Sequence, residues 1–278
     1  MNASFTFTSA DGINIQGYTG EPTKTPVAVI ALLHGMGEHA MRYAHVADYF
    51  NHHSIAFTAM DHRGHGKSGG QRGHTPSLDA LLNDIELFIT KTKELYPGIS
   101  VILYAHSMGG NVALNFILRK KPQLAGAIIT GPYLRLAFNP PVWKTTLGKI
   151  SARIIPTLSQ PTGLETKAIS RDANIVKKYE TDPLVHDRIT SSFFVNVHFA
   201  GLYVLEHAGE IKLPMLIMHG DADRLTSCNA TKEFATRTGK NVELKIWEGL
   251  YHEIHNEPEK EEVLNYELEW IKRVILSY

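Results

Sequence analysis

Cysteine is nearly absent from this chain: Cys228 is the only one in 278 residues. No intrachain disulfide can form, which excludes a disulfide-stapled scaffold and permits a reducing compartment. Net charge is missing too. Lys and Arg number 28, as do Asp and Glu. Nothing in that balance draws the chain toward nucleic acid, and no basic stripe with interleaved aromatics supplies a local pull. No run of about eighteen apolar residues occurs, so no membrane-spanning helix is expected. The opening stretch, MNASFTFTSADGINI, lacks the basic and apolar regions of a secretory signal. Repeats and low-complexity tracts are also lacking. The expectation is a cytoplasmic globular protein with one large core.

Histidine, in contrast, is plentiful, with fifteen in the chain. The spacings do not favour a metal. HEIH at 252–255 is one residue short of His-Glu-x-x-His, and HGMGEH at 34–39 is one too long for His-x-x-Glu-His. Two nucleotide motifs fail as well. GHGKSG at 64–69 has dinucleotide-loop glycines, but QRGHTPS separates it from the next helix, so no helix N-terminus meets a phosphate. For GKS at 66–68 to be a phosphate loop, a glycine would have to stand where Asp61 is. No metal and no organic cofactor are expected.

Apolar periodicity alternates between strand and helix. FTFTS and INIQGY flank a turn at Asp11-Gly12. A continuous β-rich run at 27–35 reads as a strand buried on both faces, and 54–61, 100–107, 125–131, 214–220 and 242–249 also read as strands. Between them, 40–53, 77–95, 108–120, 226–238 and 259–277 read as helices, the second with Ser77 as its N-cap. This alternation predicts an α/β fold, a mostly parallel sheet with helices on both faces. Residues 132–212 break the rhythm. They are helix-rich, punctuated by Pro132, Pro140, Pro141, Pro156, Pro161 and Pro183, and show no strand pattern. They read as a helical lid inserted between two sheet strands, leaving 1–131 and 213–278 as the core domain.

The chemistry-bearing stretch is VILYAHSMGGNVAL at 101–114, a strand, a sharp turn and a helix with Ser107 at the bend. Gly-x-Ser-x-Gly at such a bend is a nucleophile elbow. Ala105 stands where the first glycine usually does. That position must be small because strand and helix pass closely, but the strained backbone belongs to the serine, so one added methyl is tolerable. A serine needs a base and a group that orients the base. In this architecture the order is Ser, acid, His. HGDADRLT follows the strand at 214–220 and offers Asp221 and Asp223; the acid belongs deeper in the loop, which favours Asp223, with Asp221 as a turn or capping residue. EGLYHEIHNE offers His252 and His255. His252 lies nearer the strand end, at the carboxyl edge of the sheet. Two backbone N–H groups would form an oxyanion hole: that of Met108, after the serine, and that of Met36, in a loop opened by Gly35 and Gly37.

Taken together, LLHGMGEHAMRY, DHRGHGKSGG, YPGISVILYAHSMGGNVAL, TDPLV, HGDADRLT and WEGLYHEIHNE resemble the monoacylglycerol lipase family of α/β hydrolases and its lysophospholipase relatives. The likeness runs from about residue 30 to 275, and the HGxGEH and DHxGHGxS segments are specific to this branch. The resemblance implies an α/β-hydrolase fold with a lid that receives an acyl chain. It implies the triad Ser107, Asp223 and His252, an oxyanion hole at Met36 and Met108, and a small lipid ester as substrate. The expected reaction is cleavage of monoacylglycerols to glycerol and fatty acid through an acyl-enzyme on Ser107. A lysophospholipase or a broad carboxylesterase would use the same triad. A ligand-binding protein on a hydrolase scaffold would be marked by loss of a triad member, and none is lost.

Within the lid, VWKTTLGKISARII at 142–155 places Trp143, Leu147, Ile150 and Ile154 on one helical face, flanked by Lys144, Lys149 and Arg153. Such a face either packs on the core or makes peripheral contact with a membrane or micelle.

Overall fold

The structure, a computed structural model, describes residues 1, 3–138 and 142–276, with side chains omitted at 142–145. An eight-stranded sheet runs in the order β1 (Ala3–Thr8), β2 (Asn14–Gly20), β4 (Ile55–Met60), β3 (Ala28–Leu33), β5 (Val101–His106), β6 (Gly126–Thr130), β9 (Met215–Gly220) and β10 (Val242–Trp247). β1 and β2 pair antiparallel, and β2 is antiparallel to β4; every later pairing is parallel. β3, β4, β5, β6 and β9 are buried at every position, which is why they read as continuous apolar runs rather than alternating ones.

Helices cover both faces. On one, α2 (Leu78–Leu95), α3 (Met108–Lys120) and α7 (Cys228–Arg237) bury Leu81, Ile85, Phe88, Val112, Phe116 and Phe234. On the other, α1 (Ala44–His52) and α8 (Lys260–Ile275) bury Val46, Phe50, Val263 and Trp270. Ser77 caps α2 as its sequence position predicts, its Oγ accepting from Ala80 N–H at 3.1 Å. The helix expected at 40–53 starts instead as a 3₁₀ turn, Ala40–Tyr43.

Between β6 and β9 the chain forms α4 (Val142–Ile154), β7 (Ser159–Pro161), α5 (Ala173–Thr181), β8 (Arg188–Thr190) and α6 (Ser191–Glu206). β7 and β8 pair antiparallel, which corrects the expectation of a strand-free segment: three residues each, one of them Pro161, are too few to show a period of two. α6 brings Phe193, Val197 and Val204 into the core. Pro140, Pro141 and the side chains of Trp143 and Lys144 lie outside the described residues. Leu147, Ile150 and Ile154, expected on one face of α4, are 54, 50 and 72 % exposed, so that face does not pack on the core. Among the described residues no helix is long and apolar enough to cross a membrane.

Candidate active site

Ser107 sits between the end of β5 and the start of α3 with φ 53° and ψ −118°. A non-glycine residue rarely adopts this conformation, and it holds the side chain out at the carboxyl edge of the sheet. Three features allow the bend. Ala105 is fully buried and paired in register with Leu33 and Ile129. Gly109 lies so close to β3 that a Cβ would fall 2.4 Å from His34 O and 2.5 Å from Leu33 O. Ser107 N–H donates to Thr130 O at 3.0 Å.

The structure brings Ser107, His252 and Asp223 together. His252 Nδ1 is 2.6 Å from Asp223 Oδ2, and His252 Nε2 is 2.8 Å from Ser107 Oγ. A carboxylate only accepts, so Nδ1 carries the proton, and Nε2 is left to accept from the serine hydroxyl. All three residues are buried. Burial presses the His252 pKa down, but the Asp223 charge and hydrogen bond, with Glu253 and Glu38 beyond, more than offset it and leave it above the ordinary imidazole value. Burial opposes the ionised form of Asp223 as well, yet His252 and His219 hold its carboxyl well below the usual range. His255 differs. Its ring is buried, stacked on Tyr43 with centroids 4.6 Å apart, and burial pushes its pKa well down. Asp221 instead accepts Gly249 N–H at 2.7 Å, bracing two loops.

Met36 lies in the loop after β3 and Met108 opens α3, so the Met108 N–H is one of the free donors of a helix N-terminus. Gly35 N–H is already committed to Glu38 Oε1 at 2.7 Å, and Gly37 O accepts His186 N–H at 2.8 Å. Met36 N–H, like Gly37 N–H, has no acceptor among the described residues. The space before Ser107 is small, about 30 Å³, and Met36, Leu164, Ile169 and Tyr179 help to line it. A larger cavity of about 910 Å³ lies around Val101, Leu124 and Leu213, near the opposite edge of the sheet.

Sequence reading missed a buried ionic cluster beside the site. Arg42 pairs with both Glu38 and Glu253. Glu38, His106 and Glu253 bring ligand-type atoms within 4.8 Å of one another, but the Arg42 guanidinium already pairs with both carboxylates. No local signal marks the cluster, because Arg42 and Glu253 stand 211 positions apart.

A parallel sheet whose carboxyl edge carries a strained serine hydrogen-bonded to histidine, and through it to a buried aspartate, defines the α/β hydrolases. Residues 24–259 match the family described as serine aminopeptidase, S33. A monoacylglycerol lipase of Mycolicibacterium smegmatis is 31 % identical over 267 residues, covering 95 % of each chain. An uncharacterized abhydrolase domain-containing protein of Dictyostelium discoideum is 36 % identical over 260 residues, 92 % of this chain; the chain spans 27 % of that protein's length. The crystal structure of Paleococcus ferrophilus monoacylglycerol lipase superposes with a TM-score of 0.86 at 30 % identity, covering 95 % of this chain and 99 % of that one. The chain belongs to the serine aminopeptidase S33 family, among its monoacylglycerol lipase-like α/β hydrolases.

Proposed function

We propose that the protein is a serine ester hydrolase that cleaves monoacylglycerols to glycerol and fatty acid, with Ser107, His252 and Asp223 as its catalytic triad. The observation that carries this is the continuous chain of hydrogen bonds, 2.8 and 2.6 Å, from the strained Ser107 through His252 to Asp223. His252 takes the hydroxyl proton as Ser107 Oγ attacks the ester carbonyl. Met36 and Met108 N–H groups stabilise the oxyanion of the tetrahedral intermediate. Asp223 holds the His252 tautomer and stabilises the imidazolium. His252 then gives its proton to the departing glycerol oxygen, leaving an acyl-enzyme. It next deprotonates a water that attacks the acyl carbonyl, and as the bond to Ser107 Oγ breaks and the fatty acid leaves, His252 returns that proton to Oγ. The substrate class is supported by the names that the Mycolicibacterium and Paleococcus relatives carry.

Residues 132–212 act in this reading as a lid over a core of 1–131 and 213–278. Leu164, Ile169 and Tyr179, all from this segment, close a space of about 30 Å³, far below the roughly 300 Å³ or more of a small-molecule site. The segment therefore shifts to admit an acyl chain. The exposed Leu147, Ile150 and Ile154, with Lys149 and Arg153 on the same helix, suit peripheral contact with a lipid surface where the substrate resides.

The test is hydrolysis of a monoacylglycerol chain-length series, a lysophospholipid and a short aryl ester by wild type and Ser107→Ala. Monoacylglycerols are expected to give the highest kcat/KM, and the variant to lose at least a thousandfold. Turnover of the aryl ester alone would keep the triad and reject the substrate class. Preference for the lysophospholipid would move the protein to that activity. An inert wild type would make it a binding protein.

A further inference from the structure

Asp223 is gripped from two sides. Its Oδ1 accepts backbone N–H groups of Leu225 at 2.7 Å and Thr226 at 3.0 Å. Its Oδ2, the oxygen that faces His252, also lies 3.0 Å from Nε2 of a second imidazole, His219. His219 stands near the end of β9, fully buried. Its other nitrogen, Nδ1, is 2.8 Å from Thr231 Oγ1 on α7. The carboxylate oxygen cannot donate, so Nε2 carries the proton and Nδ1 accepts from the Thr231 hydroxyl. This completes a relay from Thr231 through His219, Asp223 and His252 to Ser107. Thr226 Oγ1 also reaches Oδ2 at 2.8 Å, but it lies 3.0 Å from Gly131 O and has one proton to share. His219 Nε2 lies closer to Oδ2, at 3.0 Å, than to Thr226 Oγ1, at 3.3 Å, so its proton points at the carboxylate.

We propose that His219 is a positioning residue for the hydrolysis, fixing Oδ2 of Asp223 in line with His252 from the side opposite the serine. This rests on the assignment of Ser107, His252 and Asp223 as the triad. Two backbone donors pin Oδ1, but they leave the carboxylate free to pivot about that oxygen. The His219 N–H, beside the shared Thr226 hydroxyl, restricts that pivot from the side away from His252. It also draws negative charge away from Oδ2, which tempers the pull of Asp223 on the His252 proton. The groups that face His252 are Asp223, Glu253 and Glu38, the Ser107 hydroxyl, the Thr226 hydroxyl 3.3 Å from Nδ1, and the His106 ring with centroids 4.6 Å away. Arg42 pairs with both Glu38 and Glu253, whereas Asp223 touches His252 Nδ1 directly at 2.6 Å, and the environment of Asp223 is what His219 changes.

The experiment measures kcat, KM and the acidic limb of the pH–rate profile on a short aryl ester for wild type, His219→Ala, His219→Gln, Thr231→Val and Ser107→Ala. Active-site titration normalises each rate. His219→Ala is expected to lower kcat roughly 10- to 100-fold, the scale of a small misplacement near the chemistry, with KM unchanged. Its acidic limb moves to higher pH, because Asp223 then holds the His252 proton more tightly. His219→Gln, whose amide can donate from nearly the same place, restores kcat to within about threefold of wild type. Thr231→Val leaves the ring but frees it to turn, and shifts the limb in the same direction by less. The proposal is overturned if folded His219→Ala keeps the wild-type kcat and limb. It is equally overturned if only the titratable fraction falls while the rate per active site holds. Should His219→Ala not fold, an unshifted limb in Thr231→Val overturns it. Activity retained by Ser107→Ala would instead overturn the triad; an inert Ser107→Ala beside a wild-type-like His219→Ala rejects this inference alone.

Discussion

Arg42 meets Glu253 through both arms of its guanidinium, Nη1 to Oε1 and Nη2 to Oε2, each at 2.7 Å. The same arginine pairs with Glu38, whose Oε1 holds the Gly35 N–H. Glu253 follows His252 in the chain, and Gly35 precedes Met36. One buried cation therefore ties the proposed oxyanion loop to the loop that carries the proposed base. Burial pushes the Glu38 carboxyl up despite Arg42, whereas for Glu253 the Arg42 charge and hydrogen bonds overcome burial and bring it down to about 2. Arg42→Met would strand two carboxylates in a dry site. Breaking such a cluster costs about 3–5 kcal/mol, and kcat should fall with it. Urea denaturation alongside kcat checks this; an unchanged denaturation midpoint would reject a bracing role.

At the elbow, the glycine that matters is Gly109 rather than the one replaced by Ala105. A Cβ at Gly109 would meet two backbone carbonyls at 2.4 and 2.5 Å, and backbone at the end of β3 cannot give way without moving the adjoining Gly35–Met36 loop. Gly109→Ala is expected to cost about 1–3 kcal/mol and more than tenfold in kcat. Ala105→Gly removes one methyl from a fully buried strand position, which costs roughly 1 kcal/mol and leaves kcat within about twofold. Melting temperature and kcat for the pair decide it. A crippled Ala105→Gly would show that the alanine shapes the bend.

Most of the framework was legible because its signals are local. The central sheet strands are unbroken apolar runs, and Ser107, Asp223 and His252 each follow a sheet strand, so fold order alone places them at one edge. Asp223 could be preferred to Asp221 from loop depth, and the structure puts Asp221 on Gly249 N–H. What stayed hidden depends on contacts distant in sequence. Arg42 and Glu253 are separated by 211 positions, and nothing in AMRY or HEIH marks them as partners. His219 sits in a strand where its burial predicts core packing, and only the fold turns its ring onto Asp223. β7 and β8 are three residues each and find each other only after the intervening segment folds back.

The pH dependence follows from His252. Burial lowers its pKa, and Asp223, with Glu253 and Glu38, raises it further, leaving it above 6.5. The base must be neutral, so kcat/KM should climb with rising pH through one ionisation above that value. Stability runs the other way. A histidine whose folded pKa exceeds the unfolded one contributes stability that is complete below the unfolded value and lost as pH rises through the folded value. Asp223→Asn removes the raising charge while burial remains, so the acidic limb should move to lower pH as kcat falls by about 10³ to 10⁴. A pH–rate series on both proteins reads the two limbs directly; an unmoved limb would mean that another group titrates.

The exposed row on α4 makes a separable claim. Leu147, Ile150 and Ile154 present their side chains to solvent, while the helix seats itself on α6 elsewhere: Lys149 Nζ lies 4.4 Å from the Phe199 ring centroid, and a Cβ on Gly148 would stand 3.7 Å from the Phe194 ring. Replacing all three apolar residues by serine therefore leaves the helix its anchor but removes side chains worth about 1.5–3 kcal/mol each when fully buried. Even partial insertion of three such groups predicts at least a tenfold loss of binding to phosphatidylcholine vesicles containing anionic lipid, with kcat/KM on a water-soluble aryl ester unchanged. Vesicle sedimentation at two salt concentrations separates the contributions, because the part due to Lys149 and Arg153 weakens with salt and the apolar part does not. Undiminished binding by the triple variant would place the lipid-facing surface elsewhere on the molecule.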